Sequence, residues 1–154
     1  GDSYVLSLSK VHFVVLNGST SSGSFMVDGT ITTKAPLVTK GFSWKENGGT
    51  VTKTATSASF TNQYKTIYAK GSALETIFEI NLTSSIPGTY TLDGSANALA
   101  YVISKSAMFQ ASSGSVVITK NAALKMSGTF QATGTAAGGI TTVSGTFTDI
   151  DVVP

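Results

Sequence analysis

Cysteine and arginine are both missing from the 154-residue chain, and histidine occurs once, at position 12. Without cysteine there is no disulfide to staple the fold and no thiolate to hold a metal, so the structure must rest on its core. A lone imidazole leaves His12 without the companions that a zinc site needs. It would also have to act alone in any Ser-His-Asp arrangement, and no G-x-S-x-G elbow surrounds a serine. Charge is scarce as well, at 12% of residues, about half the ~25% usual in soluble domains. Serine, threonine and glycine fill the gap. A surface hydrated by hydroxyls instead of charges points outside the cytoplasm.

The ten basic residues, all lysine, are scattered from Lys10 to Lys125 with no run or stripe. Phosphate backbones need cations focused on one face, with aromatics between them for single strands, so no nucleic-acid partner is expected. No segment approaches the ~20 consecutive apolar residues of a membrane-spanning helix. The longest apolar run, residues 11–16, is of strand length and is broken by His12.

Apolar spacing of two dominates, and glycine or β-branched residues interrupt every window long enough for a helix, so strands carry the fold. Residues 4–16 read as one long strand whose apolar parity changes from Leu6 and Leu8 to Val11, Phe13 and Val15, which a bulge near Ser9-Lys10 explains. A flexible connection over 17–24 leads to a second strand over 25–33, kinked at Asp28-Gly29 and ended by Pro36. Residues 42–45 and 50–52 read as a hairpin around Glu46-Asn47-Gly48-Gly49, because Asn-Gly supplies the positive φ of tight turns. Thr76, Phe78, Ile80 and Leu82 mark the core face of another strand, with Glu75 and Glu79 towards solvent. Further strands are expected over 66–70, 88–92, 98–104, 107–111 and 115–120, with turns at Pro87-Gly88, Asp93-Gly94 and residues 112–114. The last two echo each other as Met126-Ser127-Gly128-Thr129-Phe130 and Val143-Ser144-Gly145-Thr146-Phe147. They are expected to pair as an antiparallel hairpin with Phe130 and Phe147 inward.

Chemistry is hard to place on this pattern. Glu75 and Glu79 lie roughly 13 Å apart along one strand, too far for a pair of hydrolytic carboxylates. Asp149 and Asp151 share a parity, but calcium needs six or more oxygens and no D-x-D-x-D-G loop is present. Two sequons, at Asn17 and Asn81, would be glycan acceptors in a eukaryotic secreted protein. No catalytic residue, metal site or cofactor is expected. Aromatic side chains are the usual ingredients of a glycan or peptide platform. The candidate binding residues are therefore Trp44, Asn47, Tyr64 and Tyr68, with the hairpin over 42–51 projecting Trp44 or, alternatively, packing it in the core.

The order of signals Gly88-Thr89-Tyr90-Thr91-Leu92, Ala100-Tyr101, Ser113 to Thr119, the two S-G-T-F strands and Thr148-Asp149-Ile150 resembles a family of small all-β extracytoplasmic lipoproteins of unknown function from Bacteroidota. Val27-Asp28-Gly29 matches that family's early V-D-G element, although Thr30-Ile31-Thr32 stands where the family often carries tryptophan. The resemblance implies an N-terminal lipid anchor ahead of Gly1 as the link to a membrane, and an address instead of a reaction. Together these readings predict one all-β domain over residues 1–154, an antiparallel β-sandwich of about nine to eleven strands with a closed lipocalin-like barrel as the alternative. The expected role is a non-enzymatic module facing a surface partner, glycan or protein. The alternative is a barrel that carries a small apolar ligand.

Overall fold

The computed structural model describes residues 3–17, 20–34, 41–72, 75–136 and 138–154, with side chains from residue 41 onward. The chain forms two compact units, residues 1–38 and residues 39–154.

The first unit is a hairpin of β1 (Ser3–Asn17) and β2 (Thr20–Lys34). Its register runs Leu8 to Gly29 and then Val11 to Val27, which sets Ser9 and Lys10 together against Asp28. This is the bulge that the change of parity calls for, and it returns Leu6, Leu8, Val11 and Phe13 to one alternation. The connection is shorter than expected, because Thr20, Ser21, Gly23 and Ser24 pair with the end of β1. A serine-rich run resists a ladder only weakly, and neighbouring Val14 and Val15 supply the strand preference. His12 pairs with Met26 in mid-strand.

The second unit contains β3 (Gly41–Glu46), β4 (Lys53–Thr54), β5 (Ser57–Thr61), β6 (Thr66–Lys70), β7 (Thr76–Asn81), β8 (Gly88–Leu92), β9 (Ala98–Ser104), β10 (Ala107–Ala122), β11 (Lys125–Thr135) and β12 (Thr142–Val153). Neighbours β11-β10-β9-β7-β6-β5-β12 return to β11, so seven strands close into a barrel. The closed alternative therefore replaces the sandwich. Closure depends on two long strands that change partner half-way. One edge of β10 pairs with β9 over residues 107–110 and with β8 over 114–118. One edge of β12 pairs antiparallel with β3 over 143–148 and parallel with β5 over 151–153.

Each change of partner falls at a bulge. Gly114 turns β10 at φ 144°, and Asp149 turns β12 at φ 47°, a left-handed conformation unusual outside glycine. The Ser112-Ser113-Gly114 signal, expected as a turn between two strands, is thus a bend within one. Beside Asp149, the β11–β12 register skips from Met126–Ile150 to Gly128–Phe147. Ser127 faces the extra residue and its Oγ accepts from the Asp149 amide at 2.9 Å.

Inward positions fill the barrel. Phe42, Trp44, Phe60, Phe78, Tyr101, Phe109, Phe130 and Phe147 are all buried, together with Ile67, Ile80, Leu99, Val116, Ile118 and Met126. Phe78 stacks on Tyr101 at 4.4 Å, and Phe42 stacks on Phe130 at 5.1 Å. The echo in the last two strands acquires a physical meaning here. Gly128 lies opposite Phe147, and Phe130 lies opposite Gly145. A Cβ on Gly145 would stand 2.5 Å from Phe130 Cζ, and one on Gly128 2.4 Å from Phe147 Cζ. Each phenylalanine covers the other strand's glycine. The hairpin and its two inward rings are as the pattern predicts.

Two local expectations shift. Asn47 and Gly48 adopt φ 50° and 65°, and the Gly49 amide donates to Glu46 O at 2.8 Å, so the Asn-Gly turn forms. The returning strand, however, is Lys53-Thr54 opposite Trp44 and Ser43, with residues 50–52 in the loop. Strand β5 has no counterpart in the sequence reading, since Ser57–Thr61 carries only Ala58 and Phe60 as apolar signals.

Candidate functional site

A groove of about 520 Å³ lies on the outer face of β10, β11, β12 and β3. Register assembles its walls as two rows running across the strands. One row is Ser115, Gln131, Ser144 and Lys45, and the other is Val117, Thr129, Thr146 and Ser43. All are outward residues, two apart on each strand, so the rows stand about 7 Å apart and span about 14 Å over four strands. The Ser43 and Thr146 hydroxyls bond each other at 3.0 Å. Hydroxyls and the Gln131 amide can each donate or accept, Lys45 adds one cation, and among the described residues no carboxylate or outward aromatic ring lines the groove. Below it, Val116, Phe130 and Trp44 hold the sheet from inside.

The aromatic candidates are not brought together. Trp44 is 5% exposed, with Phe78 at 5.1 Å and Tyr101 at 5.6 Å, both edge-on. The projecting hairpin reading is corrected: Trp44 shares the inward parity of Phe42, and burial of two rings outweighs presenting one. Asn47 clamps the turn in place. Its Oδ1 accepts from the Thr141 and Thr142 amides at 2.8 and 3.2 Å while its Nδ2 donates to Gly139 O at 3.0 Å, tying the turn to the β11–β12 connection. Tyr68 is half-buried on the outer side of β6, between Ser59 and Glu79. Tyr64 is exposed on the β5–β6 turn, at the end of the barrel away from Asn47.

A polar cluster that no motif announces closes the barrel at the Asn47 end. Glu46 follows Phe42 and Trp44 on the inward parity, and its Oε1 accepts from Tyr101 Oη at 2.5 Å and from Lys53 Nζ at 2.6 Å. Burial alone would raise the Glu46 carboxyl, but the hydrogen bonds from Lys53 and Tyr101 outweigh it and hold the group below its ordinary 4.5. Burial, and then the carboxylate it donates to, push the Tyr101 hydroxyl above its ordinary 10.0. The bond to Glu46 likewise raises Lys53. The buried indole N–H of Trp44 sits close enough to Glu46 to help hold the carboxylate low, yet makes no hydrogen bond of ordinary geometry. The cluster has the character of a plug over the aromatic core, since each charge is answered by its neighbour.

Four other acids among the described residues also have polar partners. Asp149 receives Lys120 at 2.9 Å and Asp151 receives Lys125 at 2.5 Å. Glu79 accepts from Asn81 Nδ2 at 3.2 Å. Asp93 caps its own turn through the Ser95, Ala96 and Asn97 amides, which lower its carboxyl below the ordinary value, the Ser95 amide most of all. The groove residues could have been found from sequence only by knowing the register. Their outward parity is visible in the last strands, but Lys45 joins Ser144 through tertiary pairing alone.

No curated protein and no solved structure matches the chain. A family model described as Domain of unknown function (DUF6252) matches residues 38–151. The match begins one residue before the second unit, so Val27-Asp28-Gly29 falls outside the shared region, while the strand series from Gly88 to Ile150 falls inside it. Since well over half of the chain is matched, it belongs to this family of domains of unknown function.

Proposed function

We propose that the barrel is a non-enzymatic, extracytoplasmic binding module that takes an extended, hydroxyl-rich ligand of the glycan class in the groove across β10, β11, β12 and β3. The observation that carries this reading is the pair of transverse rows, Ser115-Gln131-Ser144-Lys45 and Val117-Thr129-Thr146-Ser43. Rotatable hydroxyls match a ligand whose own groups both donate and accept, and a span of about 14 Å suits a few sugar rings. A peptide would gain more from main-chain pairing along a free strand edge. The outer edge of β8 is blunted for that purpose, because Asn97 Nδ2 already occupies Thr91 O at 3.0 Å. The apolar-carrier reading has less behind it, as large rings occupy the barrel interior. The address rests on the shortage of charge over the whole chain.

Oligosaccharide-array screening followed by calorimetry tests the proposal, with Gln131→Ala and the blocking change Ser144→Trp as controls. Binding that both substitutions weaken, with the glycan recovered uncleaved, is the expected outcome. Binding indifferent to both, or release of cleaved products, would overturn it.

A further inference from the structure

Among the described residues of the second unit seven large apolar side chains stand exposed, and four of them occupy one end of the barrel. Strand directions locate them. The β5–β6 turn, the β7–β8 connection, the β10–β11 turn and the end of β12 all lie at the end opposite the Asn47 turn. They carry Tyr64 at 64% exposure, Ile86 at 70%, Leu124 at 71% and Val153 at 43%. Hydrogen bonds tie these segments into one rim. The Asn62 amide donates to Val153 O, the Val152 amide to Leu124 O, and the Leu82 amide to Lys65 O. Asn121 Nδ2 donates to Ser85 O at 2.9 Å, next to Ile86.

The Leu124 turn is unusual in its chemistry. Ala123 and Leu124 adopt φ 53° and 57°, the left-handed pair that favours Asn-Gly. The sequence instead holds a leucine at the tip of a disfavoured turn with its side chain in solvent. Local backbone cost kept at an exposed apolar tip is a pointer to use.

We infer that this rim docks on a lipid surface by shallow insertion of Tyr64, Ile86, Leu124 and Val153. The four tips stand on separate segments and form no continuous apolar face. They match the way apolar and tyrosine side chains enter the headgroup boundary one by one. The charges at this end suit anionic headgroups. Lys120 binds Asp149 and Lys125 binds Asp151, while among the described residues Lys65 Nζ meets only Asn62, through its O at 2.9 Å and its Oδ1 at 2.8 Å.

The absence of cysteine makes the test clean. Leu124→Cys and, at the opposite end, the equally exposed Val51→Cys are each labelled in the full chain with an environment-sensitive fluorophore. Each is then mixed with phosphatidylcholine vesicles with or without phosphatidylglycerol. The expected result is a blue shift for the Leu124 probe alone, larger with phosphatidylglycerol and reduced by salt. In vesicle flotation of the unlabelled protein, Ile86→Asp should weaken binding about tenfold, as for the loss of one buried apolar side chain. No shift at position 124 overturns the inference, as do equal shifts at both positions. A shift without vesicles that grows with protein concentration would assign the rim to a second copy and overturn it as well. Failure here would leave groove binding in solution unaffected, so the two proposals stand or fall separately.

Discussion

Truncation of Phe130 tests the reciprocal covering of glycine by phenylalanine at the centre of the fold. The ring is 3% exposed, packs on Phe42 at 5.1 Å and Phe78 at 5.6 Å, and lies over Gly145. Phe130→Ala removes the transfer energy of the ring and leaves a cavity, typically about 3–5 kcal/mol together. The upper half of that range is expected, about 4–5 kcal/mol, because the cavity cannot collapse. Phe42 and Phe78 are held by Trp44 and Tyr101 on their far sides, and Gly145 has no side chain to move in. Gly145→Ala should cost about 2 kcal/mol or more by itself, since its Cβ would stand 2.2 Å from Ser43 O as well as against the ring. In the double variant the ring clash disappears while the backbone clash remains, so the two losses should fall short of additive by about 1 kcal/mol. Urea titration followed by Trp44 fluorescence is the suitable assay, because the only tryptophan lies in this core and reports the barrel unit specifically. A loss below about 1 kcal/mol for Phe130→Ala, or full additivity in the double variant, would refute the reasoning.

Trp44 emission should be blue-shifted and insensitive to iodide or acrylamide, given 5% exposure; ready quenching would restore the projecting hairpin and remove the inward parity of β3. Glu46 contributes stability that is complete above its ordinary 4.5 and is lost as pH falls through its lowered folded value. Acid unfolding should therefore lose part of its pH dependence in Glu46→Gln, which should itself cost about 2 kcal/mol near neutrality, and an unchanged acid limb would contradict the plug. Asn47→Ala should cost about 1–2 kcal/mol and speed hydrogen exchange at the Thr141 and Thr142 amides it binds; unchanged exchange there would show that the clamp carries no load.

Local alternation carries a good part of this structure. The bulge at Ser9-Lys10, the Asn47-Gly48 turn, the strand with Phe78 and Ile80 inward, and the inward pairing of Phe130 with Phe147 all follow from spacing of two and from which residues tolerate positive φ. Such features depend on near neighbours, and near neighbours are adjacent in the sequence. Closure of the sheet is different. It depends on β10 and β12 each serving two partners along one edge, with the switch made at Gly114 and Asp149. A Ser-Ser-Gly run or an Asp within a strand reads equally well as a turn, so barrel and sandwich share one local pattern. The same reason hides the candidate site. Ser115, Gln131, Ser144 and Lys45 lie far apart along the chain and become one row only through three registers, and Glu46 meets Tyr101 55 residues away only when the barrel closes. Parity says which way a side chain points, but only tertiary pairing decides what stands beside it.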